Sequence, residues 1–143
     1  MKIYIYFSGK PKDAHANALS AEYVKRAGFF APTAMHEVRS SKIAPATEVR
    51  TRHPQAKLIL LDPAGRRFDS EKFAKMLADA EMRGQDLVFL VGGHDGHSPS
   101  ERAAADLQLS LSDLTLPHEL ARAVLAEQIY RGFTILRGHP YSR

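Results

Sequence analysis

Hydrophobic and polar positions switch between a short and a helical period along this chain, and the switching predicts strands and helices in alternation. Short apolar-rich runs mark strands at residues 2–7, 33–38, 57–62 and 86–91, with a shorter piece near 107–111. Leu58-Ile-Leu-Leu61 and Leu87-Val-Phe-Leu-Val91 are apolar without a break, which fits strands of a parallel sheet covered by helices on both faces. Helical patterns fill the gaps. Residues 13–28 are rich in Ala and Leu and stop at Gly28, residues 46–53 are shorter and weaker, and residues 69–83 open on a cap-type Asp69 and end before Gly84. Ser98-Pro-Ser-Glu101 sets a capping hydroxyl, a proline at the first helical position and a glutamate in capping-box register. Pro117 opens the last helix, where Leu120, Val124, Leu125, Ile129 and Phe133 recur at helical spacing and predict a long buried face, part of it available to a second copy of the chain. No repeat or low-complexity linker divides the sequence, so it reads as one α/β domain, 1–143, with a mostly parallel sheet and helices on both faces.

Composition narrows the function classes. A chain of 143 residues with 44% hydrophobic and 25% charged residues is that of an ordinary globular domain. No apolar run approaches the roughly 20 residues that span a bilayer, and the apolar start at residues 1–7 is too short for a signal peptide. A cytoplasmic protein with no membrane partner is expected. The absence of cysteine excludes disulfides, a thiolate nucleophile and Cys-ligated zinc. The net charge of +4 is unevenly spread. Residues 38–57 hold five Lys/Arg against Glu48 alone, and three arginines but no acid follow Glu127, so two basic stretches are available for a phosphate-facing surface.

Several familiar sites are excluded by spacing. Gly92-Gly-His-Asp-Gly96 is not G-x-G-x-x-G and follows a late strand, and Gly9-Lys10 lacks the upstream glycine of a Walker loop. His118-Glu-Leu-Ala-Arg122 puts arginine where a zinc-protease helix needs its second histidine. A metal would require His94, Asp95 and His97 to converge from one turn, so no metal is expected, and no G-x-S-x-G elbow is present.

Four segments together carry a resemblance: the strand ending in Gly92-Gly-x-x-Gly96, the run Leu109-Ser-Leu-Ser-Asp-Leu-Thr-Leu-Pro-His118, the helix with Ala126-Glu-Gln-Ile-Tyr-Arg131, and the tail His139-Pro-Tyr-Ser-Arg143. In them the chain resembles the RlmH family, SPOUT-class enzymes that use S-adenosylmethionine to methylate N3 of a pseudouridine in 23S ribosomal RNA of the large subunit. The resemblance implies a sheet whose C-terminal part is tied in a trefoil knot, an exception to the rule against threaded chains; a homodimer is expected from the apolar last helix and from a domain too small to enclose both donor and RNA. The resemblance also implies a methyl-donor site formed by Leu61, Gly92 and the segment Leu111, Ser112, Asp113, Leu114, Thr115 and Leu116. Read without it, Gly92 at a strand's carboxyl end lets a ligand approach the backbone, and the apolar segment offers walls with free peptide groups, while Leu111, Leu114 and Leu116 serve equally well as core.

The sulfonium methyl is already activated, so the expected work of the protein is orientation, together with removal of the acidic imide proton of N3 or stabilisation of the anion it leaves. Arg131, His139 and Tyr141 are the candidate catalytic residues, and Glu127, Arg131, Arg137 and Arg143 the candidate RNA contacts. Glu127 and Arg131 stand at i and i+4, the spacing of a helix-face ion pair that would also order the arginine. Relatives commonly carry a histidine after the tail tyrosine, where this chain has Ser142. That general base is missing here, and His139 is the nearest substitute. Two other readings stay open at this point: a SPOUT enzyme acting on another RNA such as tRNA, and a ribosome-assembly factor that keeps the fold without catalysis.

Overall fold

The computed structural model describes residues 1–38, 42–92 and 96–142. In chain order its elements are β1 (Ile3–Phe7), α1 (Ala14–Ala27), β2 (Thr33–Glu37), α2 (Pro45–Arg52), β3 (Lys57–Arg67), α3 (Ser70–Arg83), β4 (Leu87–Val91), α4 (Pro99–Ala104), β5 (Leu107–Ser110) and α5 (His118–Leu136), followed by a 3-10 turn at Pro140–Ser142. The five strands form one sheet in the order β2-β1-β4-β3-β5, and every pairing is parallel. This is the predicted α/β architecture.

The period of two along the strands divides the core into two layers. Ile3, Ile5 and Phe7 of β1, Ile59 and Leu61 of β3, and Leu87, Phe89 and Val91 of β4 pack with Phe73 and Leu77 of α3 and Leu125, Ile129 and Phe133 of α5. The intervening Tyr6, Leu58, Leu60, Val88 and Leu90 pack instead with Ala46 and Val49 of α2, with Ala105 after α4 beside them. Burial on both faces is the reason β3 and β4 are unbroken apolar runs. Among the described residues no helix is long and apolar enough to cross a membrane.

Helix ends are set where the capping chemistry put them. Asp13 accepts from the His15 and Ala16 amides at 3.0 Å, and Asp69 accepts from Lys72 N at 2.7 Å. Gly84 ends α3 in the left-handed region, φ 61°. The Ser98–Glu101 capping box forms, with one carboxylate oxygen 3.0 Å from Ser98 N, and the other oxygen accepts from Ala46 N at 3.0 Å. One glutamate therefore fixes the start of both α4 and α2. Burial alone would raise its pKa, but those backbone donors outweigh it and hold the carboxyl below its ordinary value.

The last helix departs in part from its prediction. Leu125, Ile129 and Phe133 are fully buried, Val124 is half-buried, and Leu120 is 40% exposed. The start of α5 thus leaves an apolar position uncovered within one chain.

A larger departure is β3, which runs to Arg67 rather than stopping at residue 62. Asp62-Pro-Ala-Gly65 has the composition of a turn, yet Leu109 is in register with both Leu61 and Arg66. At Gly65 the chain lies so close to β5 that a Cβ there would sit 2.7 Å from Gln108 C and O and 2.8 Å from Leu109 N. Only glycine can cross another backbone at that distance. Such a crossing is compatible with the knot that the resemblance implies. Gly65→Ala has only backbone to push against, so it is expected to cost about 2–3 kcal/mol; thermal denaturation with an unchanged midpoint would contradict the crossing.

Candidate functional site

The carboxyl ends of adjacent parallel strands are where open α/β sheets bind ligands, and a cavity among the described residues lies there. Its volume is about 620 Å³, within the usual range for small-molecule sites. Leu61, Asp62 and Pro63 come from β3, Val91 and Gly92 from the end of β4, and Leu109 and Ser110 from β5. The wall is completed by Gly96, by the segment after β5, and by Pro117, His118 and Ala121 where α5 begins.

Seven of the eight residues expected to form a donor site converge on this cavity: Leu61, Gly92, Leu111, Ser112, Leu114, Thr115 and Leu116. The eighth, Asp113, does not line it. Its Oδ2 instead accepts from Arg67 Nη1 at 2.9 Å, with both side chains largely exposed, so Asp113 fastens the outside of the loop to β3. Residues 111–117 lie outside any helix or strand, which leaves most of their peptide groups free of a ladder. The loop keeps its shape through serines: Ser110 Oγ donates to Ser112 O at 3.0 Å, and Ser112 Oγ accepts from Leu114 N at 2.9 Å.

The Gly92 wall is held by a histidine that the spacing argument had weighed only as a metal ligand. The buried His97 places Nε2 3.0 Å from Leu61 O; a carbonyl can only accept, so this nitrogen carries the proton. The contact joins the turn after β4 to the end of β3. A Cβ at Gly92 would meet His97 Cε1 at 3.1 Å and Gly96 C at 3.3 Å, so the glycine is needed for this turn as much as for a ligand. Gly93, His94 and Asp95 lie outside the described residues. Among the described residues no group of three or more His, Cys, Asp or Glu is arranged to hold a metal.

Beneath the cavity, Asp62 is buried, with Oδ2 accepting from Arg102 Nε at 2.7 Å and Oδ1 from Ala64 N at 2.9 Å. Asp62, Ser110, His118 and Ala121 were not among the residues expected here. Their signal was position: Ser110 ends β5, His118 and Ala121 start the helix that caps the cavity, and Asp62 directly follows the apolar run of β3.

His118-Glu-Leu-Ala-Arg122 proves to be a structural device. The exposed edge of Glu119 gathers Lys12 N at 2.6 Å, Asp13 N at 3.0 Å and Asn17 Nδ2 at 3.2 Å, and the first of these contacts contributes most to lowering its pKa. Arg122 is fully buried with its guanidinium 3.8 Å from the centre of the Phe7 ring and Nη2 3.2 Å from Glu119. The loop after β1 is thereby tied to the start of α5 beside the cavity.

The described candidate catalytic and RNA residues lie elsewhere, from the middle of α5 onward and in the turn that follows it. Arg131 Nη2 lies 2.8 Å from Glu127 Oε2, the predicted i,i+4 pair, and its guanidinium carbon is 5.0 Å from the centre of the Tyr141 ring. The Tyr141 hydroxyl donates to Glu127 Oε2 at 2.7 Å and lies 3.1 Å from the Tyr23 hydroxyl. Burial first, then these two contacts, push its pKa well above that of an ordinary phenol, so Tyr141 is protonated at neutral pH and acts as a donor. The exposed His139 accepts from Tyr141 N through Nδ1 at 3.1 Å, which puts the proton of the neutral ring on Nε2. In this conformation His139 presents a donor, not the free lone pair a general base needs. Arg137 is bound to Glu81 of α3 at 2.7 Å, and Arg143 lies outside the described residues.

The tail leaves α5 at its carboxyl end, whereas the helix begins beside the cavity, which His118 and Ala121 line. From Ala121 the helix rises about 9 Å to Glu127 and about 15 Å to Arg131, and none of Glu127, Arg131 and Tyr141 lines the cavity, so within one chain cluster and cavity are separate.

The comparisons with known proteins agree with the fold. The family model described as a predicted SPOUT methyltransferase matches residues 1–142. A relative from Solibacter usitatus named ribosomal RNA large subunit methyltransferase H is 58% identical over 143 residues, all of this chain and all of that protein. Among solved structures, a methylase family protein from Neisseria gonorrhoeae superposes with TM-score 0.59 at 13% identity, covering 90% of this chain and 81% of that one. The SpoU methyltransferase AviRb from Streptomyces viridochromogenes, solved with the cofactor AdoMet, gives TM-score 0.50 at 14% identity over 94% and 61%. Full-length identity at this level, a family match over nearly every residue and a parallel sheet with its cavity at the strand ends lead to one conclusion: this chain belongs to the SPOUT methyltransferase family, among the ribosomal RNA large subunit methyltransferases H.

Proposed function

We propose that this protein transfers a methyl group from S-adenosylmethionine to N3 of a pseudouridine in 23S ribosomal RNA of the large subunit, working in the cytoplasm as a homodimer. The observation that carries the reading is the convergence of Leu61, Gly92 and the 111–116 segment on one cavity of about 620 Å³ at the strand ends. The cavity fits the donor: it is large enough, walled by leucines, bounded by loop peptide groups able to meet an adenine edge, and approachable at Gly92. Leu61, Gly92, Leu111, Leu114, Thr115 and Leu116 would hold it. When bound, the donor supplies an electrophilic methyl group on a positively charged sulfur.

The residues of the chain then have three tasks. Apolar walls exclude water, the loop after β5 fixes the orientation of what it encloses, and cationic and donor groups favour the ionised form of the imide nitrogen. Arg131, held ready by Glu127, and the protonated Tyr141 suit the third task. The separation of about 15 Å along α5 between Ala121 and Arg131, with no cluster residue lining the cavity, supports a site made by two copies, with the cavity of one completed by the tail of the other. Leu19 and Leu120, 46% and 40% exposed, lie on α1 and α5 and offer apolar surface for that association.

Calorimetry with the purified protein is expected to show donor binding without added metal. Gly92→Val, which drives a side chain into His97 and the turn at Gly96, should weaken that binding about tenfold or more in a protein that still unfolds cooperatively. Unchanged affinity in the folded variant would remove Gly92 from the site. Transfer of a labelled methyl group to RNA of isolated large subunits, and not to tRNA, tests the substrate; labelling of tRNA alone would overturn it.

A further inference from the structure

A second cavity, about 300 Å³, lies between α3, the amino ends of β3 and β5 at Lys57 and Leu107, and the segment of β3 beyond its crossing with β5. Its rim carries Lys57, Arg66, Lys72, Lys75 and Arg83 against a single carboxylate, Asp79. On α3 the spacing 72, 75, 79, 83 sets these groups along one helix face, a stripe of about 16 Å. Among the described residues none of the five cations is in an ion pair, whereas Arg50, Arg67, Arg102, Arg131 and Arg137 each hold a carboxylate. Lys57 alone acts on a nearby acid, Asp106, which Arg50 already pairs at 2.7 Å. Two of the five are steadied by an aromatic ring: Lys72 Nζ is 4.6 Å and the Arg66 guanidinium carbon 5.5 Å from the centre of Phe68. Like charges crowded on one groove repel one another, and a polyanion laid along it removes the repulsion.

The groove is continuous with the donor cavity through one stretch of chain. Asp62 and Pro63 line the cavity, Arg66 and Phe68 line the groove, and between them Arg67 is fastened to Asp113 on the outside of the cavity loop. We infer that this groove binds the phosphodiester backbone flanking the target nucleotide, an inference that rests on the RNA-methylating reading above. The chemistry selects phosphate backbone over a base or a small anion. The cations are surface groups on an open rim, without the enclosing set of buried donors that a small-anion site uses, and such point charges make contacts independent of sequence. A nucleic-acid strand carries one charge per about 3.4 Å of B-form axis, so a stripe of this length faces on the order of five phosphates, with three cations on α3 and Lys57 and Arg66 across the groove.

The test is the salt dependence of binding of a large-subunit RNA fragment to the full-length protein. Lys72→Glu with Lys75→Glu should weaken binding about tenfold or more at moderate salt and make the log–log slope shallower by about 1.5–2, with donor affinity unchanged as the readout of an intact fold. The neutral pair Lys72→Gln with Lys75→Gln should act in the same direction with a smaller loss. Lys75→Glu alone should cost more than Lys25→Glu, the same charge change on α1, and Asp79→Asn should tighten binding. Equal losses for Lys75→Glu and Lys25→Glu, or an unchanged slope in the double variant, would overturn the groove assignment. RNA binding that depends on the groove, without any methyl transfer, would overturn the proposed activity while leaving the groove in place; a wild-type protein that binds no RNA would overturn both.

Discussion

Deleting residues 139–143 is expected to reduce methylation of large subunits by about 100-fold or more, the scale on which lost positioning acts, while affinity for S-adenosylmethionine stays within about twofold. The two outcomes separate because none of residues 139–142 lines the cavity, yet Tyr141 is packed edge-on against Tyr130 at 4.6 Å and hydrogen-bonded to Glu127 of α5. Tyr141→Phe removes only the hydroxyl, leaves a part-buried Glu127 oxygen with one donor fewer, and should loosen the tail by about 1 kcal/mol and slow methyl transfer less than the deletion does. Methylation at the normal rate by the truncated protein would show that the tail takes no part and that the RNA site lies elsewhere.

The second large effect is a recovery of activity. A homodimer of Gly92→Val chains has intact tails and defective cavities, and a homodimer of truncated chains has the reverse. If each site joins the cavity of one chain to the tail of another, a mixed dimer holds one intact site and one doubly defective site. After re-equilibration of an equal mixture about half of the dimers are mixed by random pairing of a two-fold assembly, so the mixture should regain roughly one quarter of wild-type activity from two nearly inactive components. Activity no greater than the average of the two components, in a mixture shown to have exchanged, would mean that each chain carries its own complete site. A monomer by sedimentation at micromolar concentration, active alone, would contradict the dimer outright.

Legibility of the sequence followed the range of the interactions. The apolar runs of β3 and β4, the Asp69 cap with Gly84, and the Ser98–Glu101 box depend on neighbours within a few residues, and all are present in the structure. Convergence of Leu61, Gly92 and the 111–116 segment is long-range, and it was reached through the resemblance rather than through spacing. The crossing at Gly65 was hidden because Asp62-Pro-Ala-Gly has ordinary turn composition; its meaning comes from Gln108 and Leu109, more than 40 residues away. Asp113 was misplaced because a loop residue's sequence position does not say which side it faces, and Arg67, its partner, was expected to lie beyond a strand that had ended. The cationic stripe of α3 was passed over because total charge in residues 69–83 is nearly balanced. Only the helical arrangement sorts Lys72, Lys75 and Arg83 to one rim. The distance of the tail from its own cavity depends on the direction of α5 across the sheet, which no local pattern encodes.

The central claim is the identity of the modified atom, and mass-spectrometric mapping of large-subunit RNA tests it most directly. RNA from cells with and without this gene, and RNA of unmodified large subunits incubated with the purified protein and donor, should differ by one methyl group on N3 of a single pseudouridine, restored by the wild-type protein and not by Gly92→Val. Identical methylation of large-subunit RNA in both kinds of cell, or a methyl group gained on a ribose or on tRNA instead, would contradict the account.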